Sequence, residues 1–126
     1  MVISEVAKEI ELTADTLRYY EKEGLIGPIA KEKSGIRNYT EEDLQRIKFV
    51  KCMREAGMEV KYLKRYIQLL DKGDETIQER RNILLEQRKI IERKLNATKE
   101  AYDRINYKIE LYDKKMLDNK KTYWSV

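Results

Sequence analysis

From residue 74 to its end this 126-residue chain contains neither glycine nor proline, although five glycines and one proline stand at or before Gly73. A stretch of that length with nothing to break it reads as one continuous helix. Its apolar residues follow a seven-residue repeat: counted from Ile77, one set of core positions is Ile77, Leu84, Ile91, Thr98, Ile105 and Tyr112, and the other is Arg81, Arg88, Leu95, Tyr102, Ile109 and Met116. Nine of these twelve are apolar. A helix of about 40 residues is about 60 Å long and cannot bury such a stripe on a head of roughly 70 residues, so it needs a partner helix. The simplest partner is the same helix of a second subunit, which makes the chain a homodimer; the alternative is a helix folded back on its own head. The expected organisation is a head over 1–73, a dimerisation helix over 74–117 and a tail over 118–126 that carries Tyr123 and Trp124.

Before Gly73 the punctuation is dense. Ser4 is placed to cap a first helix over 5–10, and Thr13 a second over 14–23 that Gly24 ends in a left-handed conformation. Two short helices joined by Glu11-Leu12-Thr13 have the spacing of a helix-turn-helix. Between Gly24 and Tyr39, the apolar patches Leu25-Ile26 and Ile29-Ala30 flank Gly27-Pro28, and Ser34-Gly35 follows. This pattern predicts a small two-stranded hairpin, or wing, that must pack on the preceding helices to fold. Thr40 with Asp43 resembles a capping box and opens a third helix that runs to Ala56 and stops at Gly57. A fourth helix fits 60–70, where Leu63, Tyr66, Ile67 and Leu70 recur at spacings of three and four. The expected fold is mainly α: a winged helix-turn-helix head followed by a long helix that forms a dimeric coiled coil.

The composition removes several function classes. No apolar run is long enough to span a bilayer, and the first residues, Met1-Val2-Ile3-Ser4-Glu5, do not form an export signal, so a cytoplasmic protein is expected, without a membrane partner. One cysteine and no histidine make a poor metal-ligand inventory, and no metal or other cofactor is expected. With no histidine, no paired-acid motif and no phosphate-cradling glycine loop, an enzyme is the least expected class. Bulk charge says little about nucleic acid, because 27 basic residues face 23 acidic ones.

Local arrangement says more. In the second helix Leu17 and Tyr20 are three apart and face the head's core, which leaves Thr16, Arg18 and Tyr19 on the other side. A hydroxyl, a guanidinium and a phenol on one exposed face suit a groove-reading helix, because each can bond phosphate or base edges. An ordinary solvated face can carry the same residues. Lys31, Lys33 and Arg37 add positive charge to the wing, with Tyr39 just past it; here the bland reading is a charged turn.

The head also strongly resembles that of MerR-family transcription regulators. The resemblance is carried by Ile3-Ser4-Glu5-Val6-Ala7, by the run from Thr16-Leu17-Arg18-Tyr19-Tyr20-Glu21 to Lys22-Glu23-Gly24-Leu25-Ile26, and by Arg37-Asn38-Tyr39. It continues through Asp43-Leu44-Gln45-Arg46-Ile47, Met53-Arg54-Glu55-Ala56-Gly57-Met58 and Val60-Lys61-Tyr62-Leu63. It implies DNA contacts from Thr16, Arg18 and Tyr19 on the recognition helix, from Arg37 and Tyr39 at a first wing, and from Lys61 and Tyr62 at the start of a second. It further implies an antiparallel dimerisation coiled coil, a roughly palindromic double-stranded promoter element, and activation by bending and untwisting an overlong promoter spacer until RNA polymerase can use it.

The departures from the family pattern concern the effector. Metal-sensing members carry cysteines at the start of the dimerisation helix and in a loop after it, and this chain has none there. Its single cysteine, within Phe49-Val50-Lys51-Cys52-Met53-Arg54, resembles the subgroup that responds to aldehydes and other thiol-reactive electrophiles. Cys52 has two readings: a small buried packing residue, or a sensing thiol whose thiolate Lys48 and Lys51 favour. Two other function classes stay open for the whole chain. A phage-type, excisionase-like architectural protein shares the winged head, and a coiled-coil adaptor accounts for the long helix while leaving the Thr16 to Tyr20 face idle.

Overall fold

The computed structural model describes residues 1–115 and Trp124; the seam position Met116 and the tail residue Tyr123 lie outside the described residues. The chain divides into two compact units, Met1–Leu85 and Glu86–Val126. Five α-helices follow in order: α1 (Ile3–Ile10), α2 (Ala14–Lys22), α3 (Glu41–Glu55), α4 (Val60–Lys72) and α5 (Ile77–Asp113), with a short 3-10 turn, Asp74–Thr76, between the last two.

Most helix limits follow the capping chemistry. The Thr13 side chain accepts from the Thr16 N–H at the start of α2, and Gly24, at φ +76°, takes the left-handed conformation that ends it. At α3 both halves of the capping box form: the Asp43 N–H donates to Thr40 Oγ1 at 3.1 Å, and the Thr40 N–H donates to Asp43 Oδ2 at 2.8 Å. The first helix departs from expectation. Ser4 lies inside it, Val2 stands at the cap, and no side chain caps the end. The Tyr39 N–H donates to the Met1 carbonyl at 2.7 Å and the Met1 ammonium to Asn38 Oδ1 at 2.8 Å, so Met1 is held beside the Val2 cap, whose carbonyl accepts the first helical bonds from the Glu5 and Val6 N–H groups.

The core of the first unit joins α1 to α4. Val6, Leu17, Leu25, Ile26, Ile47, Val50, Met58 and Leu63 are all at most 1% exposed. Leu70, expected on the buried face of α4, is exposed, and Leu69 is buried in its place. Cations of α3 and α4 tie down the ends of the shorter elements: Lys51 Nζ donates to the Ile10 carbonyl at 2.7 Å, Arg46 Nη1 to the Gly27 carbonyl at 3.3 Å, and Lys64 Nζ to Glu23 at 3.2 Å.

The segment expected as a two-stranded wing forms no strand, and neither does any other described segment. Residues 30–38 double back through bonds from the Asn38 N–H to the Ala30 carbonyl and from the Glu32 N–H to the Ile36 carbonyl, both 2.8 Å. The pairing amounts to one antiparallel bridge between Lys31 and Arg37. The physical reason lies in Lys31-Glu32-Lys33-Ser34, which has no apolar residue to hold an alternating face against the head. At the base of this loop Gly27 adopts φ +79°, and a Cβ there would stand 2.8 Å from the Ile29 nitrogen, so only glycine fits.

In the second unit, α5 leaves apolar side chains in the open. Leu95 and Tyr102 are each 64% exposed, and Ile105, Ile109 and Tyr112 are also more than half exposed. Ile77, Leu84 and Ile90, earlier on the same helix, are exposed as well. No helix among the described residues is long and apolar enough to cross a membrane.

Candidate nucleic-acid interface

The face that α2 turns outward is set by what it buries. Leu17 is 0% and Tyr20 6% exposed, and with both anchored in the core the helix presents Arg18 and Tyr19 to solvent, with Thr16 half-buried. Thr16 Oγ1 lies 2.8 Å from Thr13 Oγ1, which places the hydroxyl at the helix start. Arg18 Nη1 rests 2.9 Å from Asp15 Oδ1, one turn back on the same exposed face. The Tyr19 ring is tilted against Tyr20, with centroids 6.2 Å apart.

The loop after α2 brings a second cation to this side. Arg37 Nε donates to Glu21 Oε1 at 2.8 Å, in a pair whose side chains are 33% and 19% exposed. Lys31 and Lys33 are exposed on the same loop. Tyr39 differs from the other expected contacts: its residue is 3% exposed, and its hydroxyl is buried with no hydrogen-bond partner among the described residues. Burial raises the Tyr39 pKa above the usual phenol value, the Glu21 carboxylate adds to the rise, and Arg37 opposes it. At the start of α4, Lys61 and Tyr62 are both exposed; Lys61 Nζ stands 4.9 Å above the centre of the Tyr62 ring and 3.7 Å from Glu59.

Arg18 and Tyr19 thus share one exposed helix surface, with Thr16 half-buried at the helix start, and Arg37 is tied to the same helix through Glu21. The sequence reading did not single out Glu21. Its only signal was a carboxylate two residues after Tyr19 on the same helix, with no way to see which cation sixteen residues on would reach it.

Cys52 is exposed on α3 rather than packed in the core. Of the two lysines weighed as its activators, Lys51 directs its ammonium to the Ile10 carbonyl and toward Glu55, 3.8 Å away. Among the described residues no group of three or more cysteine, aspartate or glutamate side chains is arranged to hold a metal ion.

Two short helices in a helix-turn-helix, with a polar and cationic outer face, define a DNA-binding head. Residues 1–70 match the model of the MerR HTH family regulatory protein, and residues 44–107 match the MerR DNA-binding model. The chain belongs to the MerR family of DNA-binding helix-turn-helix transcription regulators. It is 51% identical over 88 residues to the transcriptional regulator AdhR of Bacillus subtilis, a match that covers 70% of this chain and 63% of that protein, less than two thirds of its length. An HTH-type transcriptional regulator of Haemophilus influenzae is 33% identical over 111 residues, which cover 88% of this chain and 82% of the relative. Among solved structures, HiNmlR, a MerR family regulator lacking the sensor domain and bound to promoter DNA, superposes with a TM-score of 0.82 at 33% identity over 96% of this chain and 97% of its own. A MerR family regulator from Listeria monocytogenes gives 0.83 at 38% identity, over 90% and 86% of the two chains.

Proposed function

We propose that the protein binds a roughly palindromic, double-stranded promoter element as a homodimer and activates transcription by distorting that DNA. The observation that carries the DNA reading is the outer face of α2, where Arg18 and Tyr19 stand exposed opposite buried Leu17 and Tyr20. Thr16, Arg18 and Tyr19 contact the major groove and its flanking phosphates, Arg37 contacts the backbone from the loop that buried Tyr39 anchors, and Lys61 and Tyr62 contact it from the start of α4. The DNA-bound relative, alike over nearly the whole chain, supports this arrangement.

The dimer is an antiparallel coiled coil of α5, with Ile77, Leu84, Ile91, Leu95, Tyr102, Ile105, Ile109, Tyr112 and Met116 along the seam. The exposed apolar side chains of α5 support it, because apolar rows of this length are rarely left in water. Joining two heads lets their recognition helices meet successive turns of one duplex. Bending and untwisting a promoter spacer costs a few kcal/mol, so a modest change in dimer geometry decides whether RNA polymerase can use the site.

The effector is an aldehyde or another thiol-reactive electrophile, and Cys52 is the sensing residue. The thiol is exposed, and it is the chain's only cysteine. The protein acts in the cytoplasm, where its DNA and polymerase are. Selecting bound fragments from a genomic library, then transcribing from them in vitro with and without aldehyde, tests the whole reading. Specific fragments and aldehyde-dependent transcripts are expected. Binding at recombination sites with no effect on transcription points instead to the architectural class, and no salt-dependent DNA binding points to the adaptor.

A further inference from the structure

The contact between Arg37 and Glu21 joins the two surfaces that the DNA reading uses. Glu21 is three residues after Arg18 on α2, so its carboxylate rises from the recognition helix itself, and Oε1 receives the Arg37 Nε proton at 2.8 Å. Among the described residues Nε is the guanidinium nitrogen that is bonded, which leaves the two terminal nitrogens of the fork for a phosphate. The room for this carboxylate comes from Gly27: the Glu21 Cγ lies 3.4 Å from where a side chain at that position would begin. The buried, unpartnered Tyr39 hydroxyl adjoins the same pair electrostatically, since Glu21 and Arg37 act on it in opposite senses.

A carboxylate next to a DNA-facing surface is costly for general attraction to a polyanion, because it cancels one of the cations that draw the duplex in. From its place we infer that Glu21 is a positioning residue: it gives up non-specific attraction to hold the Arg37 guanidinium at a fixed offset from Arg18, so that both reach phosphates of one site in register. This deepens the DNA reading and rests on it. The Glu21 carboxylate itself touches no DNA. Its effect is carried by Arg37, and it raises the ratio of specific to non-specific binding.

The two effects have opposite signs, which makes the inference testable. Binding of the full-length protein is measured against a duplex recovered by selection from a random-sequence pool and against a scrambled duplex of the same composition, over a salt series. Glu21→Gln, which keeps the shape and removes the charge, is expected to lose roughly tenfold in affinity for the selected duplex, while affinity for the scrambled one stays level or rises. Arg37→Lys keeps the loop's charge without the Nε donor and is expected to lose selectivity in the same way. In an Arg37→Gln background the Glu21→Gln loss should vanish, because the partner it positions is gone. Thermal melts followed by circular dichroism confirm that each variant is folded, and Arg37→Lys, at a side chain one-third exposed, supplies the comparison if Glu21→Gln is not.

Equal changes on both duplexes would mean that the carboxylate acts by charge alone and would overturn the inference. So would a Glu21→Gln loss that persists undiminished in the Arg37→Gln background. If the parent protein itself fails to distinguish the two duplexes, it is the DNA reading that has failed.

Discussion

Replacing Arg18 with alanine removes the exposed guanidinium of the recognition face, and the expected loss can be built from the geometry. In the free protein the guanidinium is held 2.9 Å from Asp15, with side chains 51% and 95% exposed. A pair this open contributes about 0.2–1 kcal/mol, which DNA must displace when a phosphate takes the carboxylate's place. A hydrogen bond between charged groups contributes about 1.5–3 kcal/mol. The difference leaves about 0.5–2.8 kcal/mol per recognition helix, or roughly 2- to 100-fold in affinity, and a dimer carries the effect twice. Losing one phosphate contact also lowers the slope of log affinity against log salt by about 0.9. Fluorescence anisotropy with a selected, labelled duplex over a salt series reads both quantities. Asp15→Asn, which removes the competitor, should shift affinity the other way by a small factor. If Arg18→Ala binds like the parent with an unchanged salt slope, Arg18 does not face the backbone and the assignment of α2 is wrong.

Replacing Ile91 and Ile105 with aspartate puts charges into the seam and should yield monomers in light scattering that no longer hold the selected duplex tightly; a dimer of unchanged mass would remove α5 as the interface. Cys52→Ser should keep DNA affinity and abolish aldehyde-dependent transcription, with mass spectrometry of the parent showing an adduct on Cys52; a full response in Cys52→Ser would leave the thiol without a role. Tyr39→Phe removes a buried hydroxyl that has no partner among the described residues, so the variant should be at least as stable as the parent in urea titration and hold the selected duplex equally well; weaker binding would place the hydroxyl on the DNA. Because burial raises the Tyr39 pKa, its contribution to stability is complete below the ordinary phenol value of about 10 and fades as pH rises through the higher folded value. Stability of the parent should therefore fall more steeply than that of Tyr39→Phe above about pH 10, and equal slopes would contradict the burial of the phenol.

The helical skeleton was readable from the sequence wherever the deciding chemistry was local. Thr13, Thr40 with Asp43, Gly24 and Gly57 act on backbone groups within four residues of themselves, and the helices they bound lie close to where those residues place them. Where the deciding partner was distant, the reading failed. Ser4 is a good capping residue, but α1 already starts at Ile3, and Met1 just ahead of it is held by distant Asn38 and Tyr39. The wing's residues promised strands, yet no neighbouring apolar face supports them. The exposure of Arg18 and Tyr19 on α2 was legible because Leu17 and Tyr20 fix the helix's rotation, while Thr16 is half-buried, and the pairing of Glu21 with Arg37 depends on how a loop returns. The environment of Cys52 could not be read from neighbours along α3, since the Lys51 ammonium is drawn to the end of α1.

That last bond, from Lys51 to the Ile10 carbonyl, bears on how the head opens and closes as well as on how it is held together. Helices of eight and nine residues are too short to persist by themselves in water, where about 12–15 residues are marginal even for favourable sequences. Here the end of α1 is tied by α3, and the end of α2 by Lys64 of α4. Fraying of the recognition helix is therefore coupled to loss of the whole core, and its buried amides should exchange with deuterium through global unfolding rather than local opening. Such a helix reaches its target already ordered, and association does not have to supply the entropy of folding it.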